Sequence, residues 1–349
     1  MIVEELEPAS YAEWDHYVDQ HPMSTCYHLR AWKTVAERAY RLRAPFLIAR
    51  ENKGGPCQGV LPSYLIQGFL QSHMTNGLFG AYGSVLANSR EARLALVDHA
   101  IQLSKKKNVH FFMLKTLEEP SFEENLNLAK LDSWVIATLA LQPDPQMMWK
   151  SLRDKIRNCV RKAERSDLKV RFGDDQLPHF YEVLAQNMHS KGAPIYGIRF
   201  MRELVEALPG RTDIITLWKD NQVISGAFLI YHRKTVYVPF ASSRPEFLAM
   251  SPNNLLYWEI IKRGCERKMD ILDFGRSLKD SGPLKFKLGW GAQTQSQPSY
   301  VFSPRGKTLN LNPDDDRLVS FFVRQWKRMP RKITDSVGPS ICRQLAGLI

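Results

Sequence analysis

The segment DILDFGRSLKDSGPLKFKLGWG, from Asp270 to Gly291, holds polar side chains in a pattern that suits a reactive cleft. Its apolar start predicts a strand that ends at Asp273, and Gly275 begins a predicted loop. The loop carries Arg276, Ser277 and Lys279. Polar groups at the C-terminal end of a strand are well placed to line a cleft, so these side chains are candidates for substrate binding.

Lys287 is the candidate catalytic cation of this segment. It follows Phe286 directly, and Trp290 stands three residues later between two glycines. A lysine held between aromatic side chains could stabilise an oxyanion or contact a carboxylate. The alternative assigns the glycines to turns, the aromatics to the core and the lysine to the surface, and the residues alone favour this alternative.

The chain shows no other strong catalytic motif. It lacks GxSxG, and no histidine stands in HExxH or HxH spacing, so neither a serine nucleophile nor a metal site is indicated. Three carboxylates could act as a general base but could equally be caps or ion pairs: Asp273, Asp270 and Glu259. GLFGAYGS, at residues 77–84, predicts turns rather than a phosphate-binding loop. A transferase that mainly positions two substrates would leave such a faint signature.

A basic helix is the second candidate site, predicted over residues 149–166. Arginines recur there every four residues, at Arg153, Arg157, Arg161 and Arg165. On a helix this spacing makes one stripe, next to an apolar face. Such a row of guanidinium groups suits a phosphate or RNA backbone, whereas the alternative is an ordinary solvated face. Both interpretations stay open.

Composition and charge restrict the class of protein. The 349 residues exceed the usual size of one domain, and a net charge of +12 attracts RNA, diphosphate-linked substrates or an anionic membrane face. The five cysteines form no CxxC pair, which suits a reducing cytosol. An acidic N-terminus without a long apolar run does not resemble a signal peptide. No stretch reaches the roughly 20 apolar residues that span a bilayer. We therefore expect a cytoplasmic protein.

A weak internal repeat indicates how the candidate residues are positioned. Residues 96–114 align without gaps on residues 256–274, and each copy predicts an amphipathic helix, a basic turn and an apolar strand. A strand, a turn and another strand precede both copies, and helices precede these. The order helix, strand, strand, helix, strand thus occurs twice. We therefore predict two similar α/β domains, over residues 1–145 and 146–303.

Residues 304–349 are predicted to form a helical tail that packs on the body. Asp314–Arg328 predicts a helix with an acidic start and a basic end, and a shorter helix follows Pro339. The aromatic and basic residues between Arg317 and Lys332 could rest on an anionic membrane, giving peripheral contact at its inner face. Alternatively, the aromatics pack on their own domain.

Several of these segments resemble FemAB-like proteins. SPNNLLYWEIIKRGCERKMDILDFGRS, followed by SGPLKFKLGWG, is similar to their C-terminal signature, and closest to the branch associated with PEP-CTERM/exosortase and exopolysaccharide loci. LRDKIRNCVRKA resembles the basic helix of that branch, and NMHSKGAPIYGIRFMREL resembles its next block. STCYHLRAW and GLFGAYGSV are similar but less distinctive. The resemblance covers about residues 20–303.

The resemblance implies two tandem GNAT-like domains, each a mixed, mostly antiparallel sheet flanked by helices. Characterised Fem-type proteins transfer an amino acid from aminoacyl-tRNA to an amine of a peptidoglycan precursor, without metal or CoA. The resemblance also implies roles for individual residues. Lys287 would stabilise charge at the reacting carbonyl, with Asp273 as the second catalytic residue. The expected substrate-binding residues are Arg153, Arg157, Lys191, Arg276, Ser277, Phe286 and Trp290.

Two departures from the branch bear on the substrate. VPFASSRPEF stands where the branch has a Gly-rich stretch, and FKLG replaces a more basic FKKN-like sequence. The leading hypothesis is aminoacyl or acyl transfer onto a phosphate-bearing amine acceptor in cell-envelope, peptidoglycan or exopolysaccharide biosynthesis. The first alternative is an acyl-CoA-dependent N-acyltransferase, although the chain lacks the [RQ]-x-x-G-x-[GA] loop that cradles pyrophosphate. The second is a non-catalytic protein that binds RNA or an anionic glycan.

Overall fold

The computed structural model describes residues 1–68, 71–117, 128–304 and 317–348, in which sixteen strands form three sheets. The strands are β1 Ile2–Glu5, β2 Leu47–Arg50, β3 Cys57–Leu61, β4 Tyr64–Gln67, β5 Ser72–Thr75, β6 Leu86–Ala87, β7 Phe111–Lys115, β8 Ala129–Leu131, β9 Trp134–Ala140, β10 Lys169–Phe172, β11 Thr212–Lys219, β12 Gln222–His232, β13 Thr235–Ser243, β14 Ile271–Leu278, β15 Gln293–Ser296 and β16 Ser299–Phe302. The sheet orders are β1-β2-β3-β6, β4-β5-β7-β16-β8 and β10-β11-β12-β13-β14-β9-β15.

Eleven α-helices accompany these strands in the described residues. They are α1 Tyr11–Gln20, α2 Ala31–Tyr40, α3 Arg90–Lys106, α4 Pro145–Ser151, α5 Asp154–Glu164, α6 Leu177–Lys191, α7 Ile198–Ala207, α8 Pro252–Glu266, α9 Gly282–Gly289, α10 Arg317–Arg328 and α11 Arg331–Leu345. None of them combines the length and the apolar character that crossing a bilayer requires.

The described residues divide into two compact units. Unit 1 comprises those within Met1–Val135, Gln295–Leu311 and Arg343–Ile349, and unit 2 those within Ile136–Thr294 and Asn312–Cys342. These bounds differ from the predicted boundaries at residues 145 and 303 for a topological reason. β9 joins the seven-stranded sheet, which brings the start of unit 2 forward, and β16 pairs with β7 and β8, which returns the chain to unit 1.

The fold class predicted from the repeat is confirmed. α3 followed by β7 and α8 followed by β14 have the predicted order, and Leu96 and Leu256, matched in the gapless alignment, are both buried. β7 pairs in parallel with β5 from Phe111 onward, and β14 pairs in parallel with β13 from Ile271 onward. Phe111 and Ile271 are also matched in the alignment. Both halves therefore place a crossover helix between two parallel strands, the geometry that such a connection requires.

Two helix predictions are wrong. The helix predicted over residues 149–166 is broken into α4 and α5, because Leu152 and Arg153 have extended ψ angles of 143° and 147°. The short helix predicted after Pro339 is instead the second half of α11, which begins at Arg331 and contains that proline. The Pro339 ring packs close to Gly197.

Packing in each unit follows the amphipathic helices. In unit 1, the buried face of α3 contacts β2, β3 and β7, and its leucine, valine and isoleucine side chains share one cluster with Phe112 and Tyr300. In unit 2, α6 and α8 pack against β11, β12 and β13. Burial of these apolar faces holds the parallel strand pair of each unit in place.

The parallel pair of unit 1 is continued by a side chain rather than by a further residue of β5. Past Thr75, the buried Asn76 turns its amide toward β7: its Oδ1 accepts from the Lys115 N–H at 2.7 Å, and its Nδ2 donates to the Lys115 carbonyl at 2.8 Å. Nδ2 also donates to the Gly83 carbonyl. Asn76 therefore satisfies backbone groups that lose their strand partner.

We expect Asn76→Ala to lower the free energy of unfolding by about 3 kcal/mol, because it leaves two or more buried backbone groups without a partner. Urea unfolding followed by circular dichroism measures this change. Asn88→Ala is the control: Asn88 is exposed, and its Oδ1 accepts from the Tyr17 hydroxyl at 2.9 Å, so its loss should cost less than about 1 kcal/mol. Equal effects of the two substitutions would contradict this role for Asn76.

Candidate active site

In unit 2 the parallel strands β13 and β14 separate soon after they meet. Their ladder has three registered pairs in the described chain, Thr235 with Ile271, Val236 with Leu272 and Tyr237 with Asp273. β13 nevertheless stays paired with β12 as far as Ser243. We call the opening between residues 238–243 and 274–278 the β13–β14 fork.

Gly275 shapes the β14 side of the fork. It has a left-handed φ of +74° inside the strand, a conformation that glycine adopts without strain. Its N–H donates to Oδ1 of Asp273 at 2.7 Å. The loop predicted from Gly275 onward is thus wrong, because β14 continues to Leu278 with a local irregularity at the glycine.

The backbone of β14 holds Lys287. Successive carbonyls of a regular strand point to opposite edges, yet the carbonyls of Gly275 and Arg276 both accept from Lys287 Nζ, at 2.8 and 3.0 Å. The left-handed φ of Gly275 breaks the alternation and lets both carbonyls face the same ammonium. Lys287 is therefore fixed at the fork by two hydrogen bonds.

Lys287 comes from the short helix α9. Ser281 caps this helix, since its Oγ accepts from the Leu284 N–H at 3.3 Å, and Pro283 lies in the first turn. Lys287 lies on the inner face of α9 and is only 7% exposed, whereas Lys285 is exposed. Burial lowers the pKa of Lys287 to about 8, and the negative charge of Asp273 partly opposes the shift.

Aromatic rings from α8, β14 and the α9 segment cluster together, and Phe286 and Trp290 among them lie close to Lys287 in the chain. Tyr257 of α8 lies 5.1 Å from Phe274 and 5.4 Å from Phe286 between ring centroids, and Phe286 lies 6.3 Å from Trp290. The buried Nε1 of Trp290 and the buried Oγ of Ser277 have no hydrogen-bond partner among the described residues. Both are buried hydrogen-bond donors that remain available in this part of unit 2.

Tyr196 and Phe240 lie on the β13 side of the fork. Their ring centroids are 5.2 Å apart, and Phe240 also contacts Phe200 of α7. Burial raises the pKa of the Tyr196 phenol, and the nearby guanidinium of Arg276 opposes that shift. The structure therefore places four of the predicted site residues on the β14 and α9 side of the fork, with Phe286 and Trp290 beside them. These four are Asp273, Arg276, Ser277 and Lys287.

The basic residues predicted to bind phosphate lie on other elements. Arg153 is the exposed N-cap residue of α5, and Arg157 forms an ion pair with Asp154 while its Nε is buried without a partner among the described residues. α5 adjoins α9, because Ile156 approaches Gly289. Lys191 is exposed at the end of α6.

The predicted arginine stripe is interrupted at both ends. Arg153 and Arg165 are cap residues outside α5, and Arg161 lies over the Trp149 ring, 5.4 Å from its centroid. The helix therefore presents fewer arginines in a single row than the spacing predicts.

Three residues at the fork were not predicted as site residues: Tyr196, Phe240 and Tyr257. Tyr196 and Phe240 meet across 44 positions of the chain, so no local pattern could pair them. Tyr257 lies within the alignable helix repeat, where an aromatic residue predicts only a buried face. Gly275, two residues after Asp273 near the end of an apolar run, was the sequence feature that could have indicated the irregularity in β14.

Comparison with known proteins agrees with this architecture. Residues 150–288, which include the fork and Lys287, match the family model described as acetyltransferase (GNAT) domain. No curated protein matches the sequence significantly.

Three solved structures share the fold over most of the chain. FemX aligns with 87% of this chain and 97% of its own, with a TM-score of 0.67 and 15% identity. A tandem GNAT protein from the clavulanic acid biosynthesis pathway aligns over 88% and 99%, with a TM-score of 0.58 and 12% identity. L-PGS from Bacillus licheniformis aligns over 94% and 100%, with a TM-score of 0.56 and 10% identity. The chain therefore has a tandem GNAT-like fold.

The left-handed Gly275 gives a test of the fork's geometry. We expect Gly275→Ala to lower the free energy of unfolding by about 1–2 kcal/mol, because a Cβ disfavours this φ. Gly282→Ala is the control: Gly282 begins α9, and no atom lies within 4 Å of the added Cβ, so stability should stay equal or rise slightly. Urea unfolding compares the two variants, and equal stability would show that β14 does not require the glycine.

Proposed function

We propose that the protein transfers an aminoacyl or acyl group from an activated donor to an amine, with the β13–β14 fork as its reaction site. The observation that carries the proposal is the buried Lys287 ammonium, held at the fork by two backbone carbonyls beside the Asp273 carboxylate. The match of residues 150–288 to a GNAT acetyltransferase domain and the tandem GNAT-like fold support it.

The geometry suits nucleophilic attack on a carbonyl. When an amine attacks an ester or thioester, negative charge develops on the carbonyl oxygen, and a buried, pre-positioned cation stabilises it strongly. Two N–H groups of Lys287 donate to β14, and in this proposal the third donates to the developing oxyanion. Asp273 takes the proton released by the amine. The amide C–N bond forms, the donor's ester C–O or thioester C–S bond breaks, and Asp273 passes the proton to the leaving oxygen or sulfur.

Residues 244–252 favour an aminoacyl ester over acyl-CoA as the donor. They join β13 to α8 and occupy the place where a run of free N–H groups would cradle a pyrophosphate. Pro245 and Pro252 have no N–H, and the N–H groups of Phe247 and Ser251 donate to the carbonyls of Arg244 and Leu248. Glu246 adds an acid to the same segment. A diphosphate therefore finds few donors here, which supports aminoacyl-tRNA as the donor, with acyl-CoA as the alternative.

The acceptor follows from charge and from the resemblance to FemAB-like proteins. Exposed cations include Arg153, which caps α5, and Lys191 at the end of α6, and they suit an amine acceptor that carries phosphate groups. We propose an envelope precursor of peptidoglycan or exopolysaccharide biosynthesis as its class, used at the cytoplasmic face of the inner membrane.

The proposal is tested by a donor screen on purified protein with a pool of envelope precursors. We expect turnover of charged tRNA, and we expect Lys287→Met to reduce kcat/KM by about 10²–10³-fold, because it removes the oxyanion's cation but keeps the alkyl chain. Lys285→Met is the matched control on the same helix and should leave the rate unchanged.

Each other outcome of this screen has a definite meaning. Turnover of acyl-CoA alone would favour the N-acyltransferase. Binding of RNA or glycan without turnover of any donor would favour a non-catalytic binding protein. Equal rates for the two lysine variants would remove Lys287 from the mechanism.

The pH dependence separates two possible roles of Lys287. Its pKa is lowered to about 8, so the ammonium that stabilises an oxyanion is lost as the pH rises through this value. We expect the ratio of wild-type to Lys287→Met kcat/KM to fall about tenfold per pH unit above that point. The ratio removes the titration of the substrate amine, which both enzymes share. A ratio that rises through pH 8 would instead indicate that neutral Lys287 acts as a base.

A further inference from the structure

The two C-terminal helices carry an unusual share of the protein's positive charge. Residues 317–345 contain seven lysines and arginines but one acid, Asp335, a net charge of +6 against +12 for the whole chain. That acid forms an ion pair with Arg331 at 3.3 Å. The remaining cations of this stretch therefore have little local compensation from acids of their own helices.

α10 is fixed to unit 2 by one face. Trp326 is 1% exposed, Val323 packs against Gly192, and the Met329 carbonyl lies 3.0 Å from His189 Nε2. Phe321 precedes Trp326 by five residues, which places it on a different side of the helix, and it is 54% exposed. This phenylalanine is therefore exposed to solvent on a helix whose tryptophan is buried.

α11 repeats this arrangement. Thr334, Gly338 and Cys342 recur every four residues and are buried, and Gly338 packs against Ile195. Ile333 and Val337, also four residues apart, are 49% and 41% exposed. The helix is thus anchored by one stripe and presents an adjacent apolar stripe outward.

We propose that these exposed side chains bind the surface of an anionic lipid bilayer. The tail surface comprises Phe321, Phe322, Ile333 and Val337 with the exposed cations Arg324, Lys327, Arg328 and Lys332. An interfacial helix inserts apolar side chains at the level of the headgroups while its cations contact lipid phosphates, and this surface supplies both parts.

The apolar residues decide between a membrane and RNA as the partner. RNA would engage the cations through its phosphates, but it offers no apolar phase for the aliphatic Ile333 and Val337. Four of the twelve large apolar side chains that are exposed in the described residues lie in these two helices. Their coincidence with uncompensated positive charge fits an anionic membrane.

Flotation of the full-length protein with vesicles tests the inference independently of any transfer activity. We expect binding to phosphatidylcholine vesicles that contain phosphatidylglycerol, and little binding to phosphatidylcholine alone. Arg324→Gln with Arg328→Gln should weaken the partition coefficient about thirtyfold. The triple variant Phe321→Ser, Ile333→Ser, Val337→Ser should weaken it at least about tenfold.

Matched controls use exposed residues elsewhere on the chain. The triple variant Met23→Ser, Met147→Ser, Leu248→Ser and the double variant Lys105→Gln, Lys106→Gln should bind vesicles like the wild type. All substituted positions are exposed, so thermal melting should show unchanged folding. Failure of the wild type to float with anionic vesicles, or wild-type binding by the apolar tail variant, would overturn the proposal. Binding of tRNA that the arginine variant loses and the apolar variant keeps, without flotation, would assign the surface to RNA.

Discussion

The structure depends on two parallel strands that pair briefly and then separate, because every backbone group freed by the separation needs another partner. The two units meet this need differently. In unit 1 a neutral amide, Asn76, bonds both backbone groups of Lys115. In unit 2 charged groups do so: Asp273 accepts from Gly275 N–H, and Lys287 donates to two carbonyls of β14. The same constraint is thus met by a neutral side chain in unit 1 and by ionisable side chains in unit 2.

The charged solution has a chemical consequence. Lys287 cannot leave its position without exposing two carbonyls to an apolar wall, so its ammonium keeps a fixed position with little freedom of its own side chain. Burial lowers the pKa of Lys287 and also strengthens any electrostatic interaction that it makes. Position and reactivity therefore have one origin, the packing of α9 on β14.

Sequence patterns predicted the elements of the fold well and the details of the site less well. The repeated helix and strand of each half were predictable, because periods of 3.6 and 2 residues are local properties. The continuation of β14 past Gly275 was not, since a left-handed glycine suits a loop as well as a strand irregularity. The hydrogen bonds that distinguish the strand irregularity from a loop come from Lys287, which lies twelve positions after Gly275 and eleven after Arg276. The break before α5 was hidden for a similar reason, because a continuous arginine spacing does not reveal an extended Leu152–Arg153.

The position of β16 has a consequence for synthesis of the protein. β16 lies between β7 and β8 in the five-stranded sheet, with Ser299 opposite both Lys115 and Leu131. β7 and β8 emerge from the ribosome long before it, so the nascent chain carries two strands that each lack their neighbour while all of β9 to β15 is translated. The N-terminal half is therefore not an independent folding unit. Its sheet closes only after β15 has been translated, so the chain needs protection from aggregation during this interval.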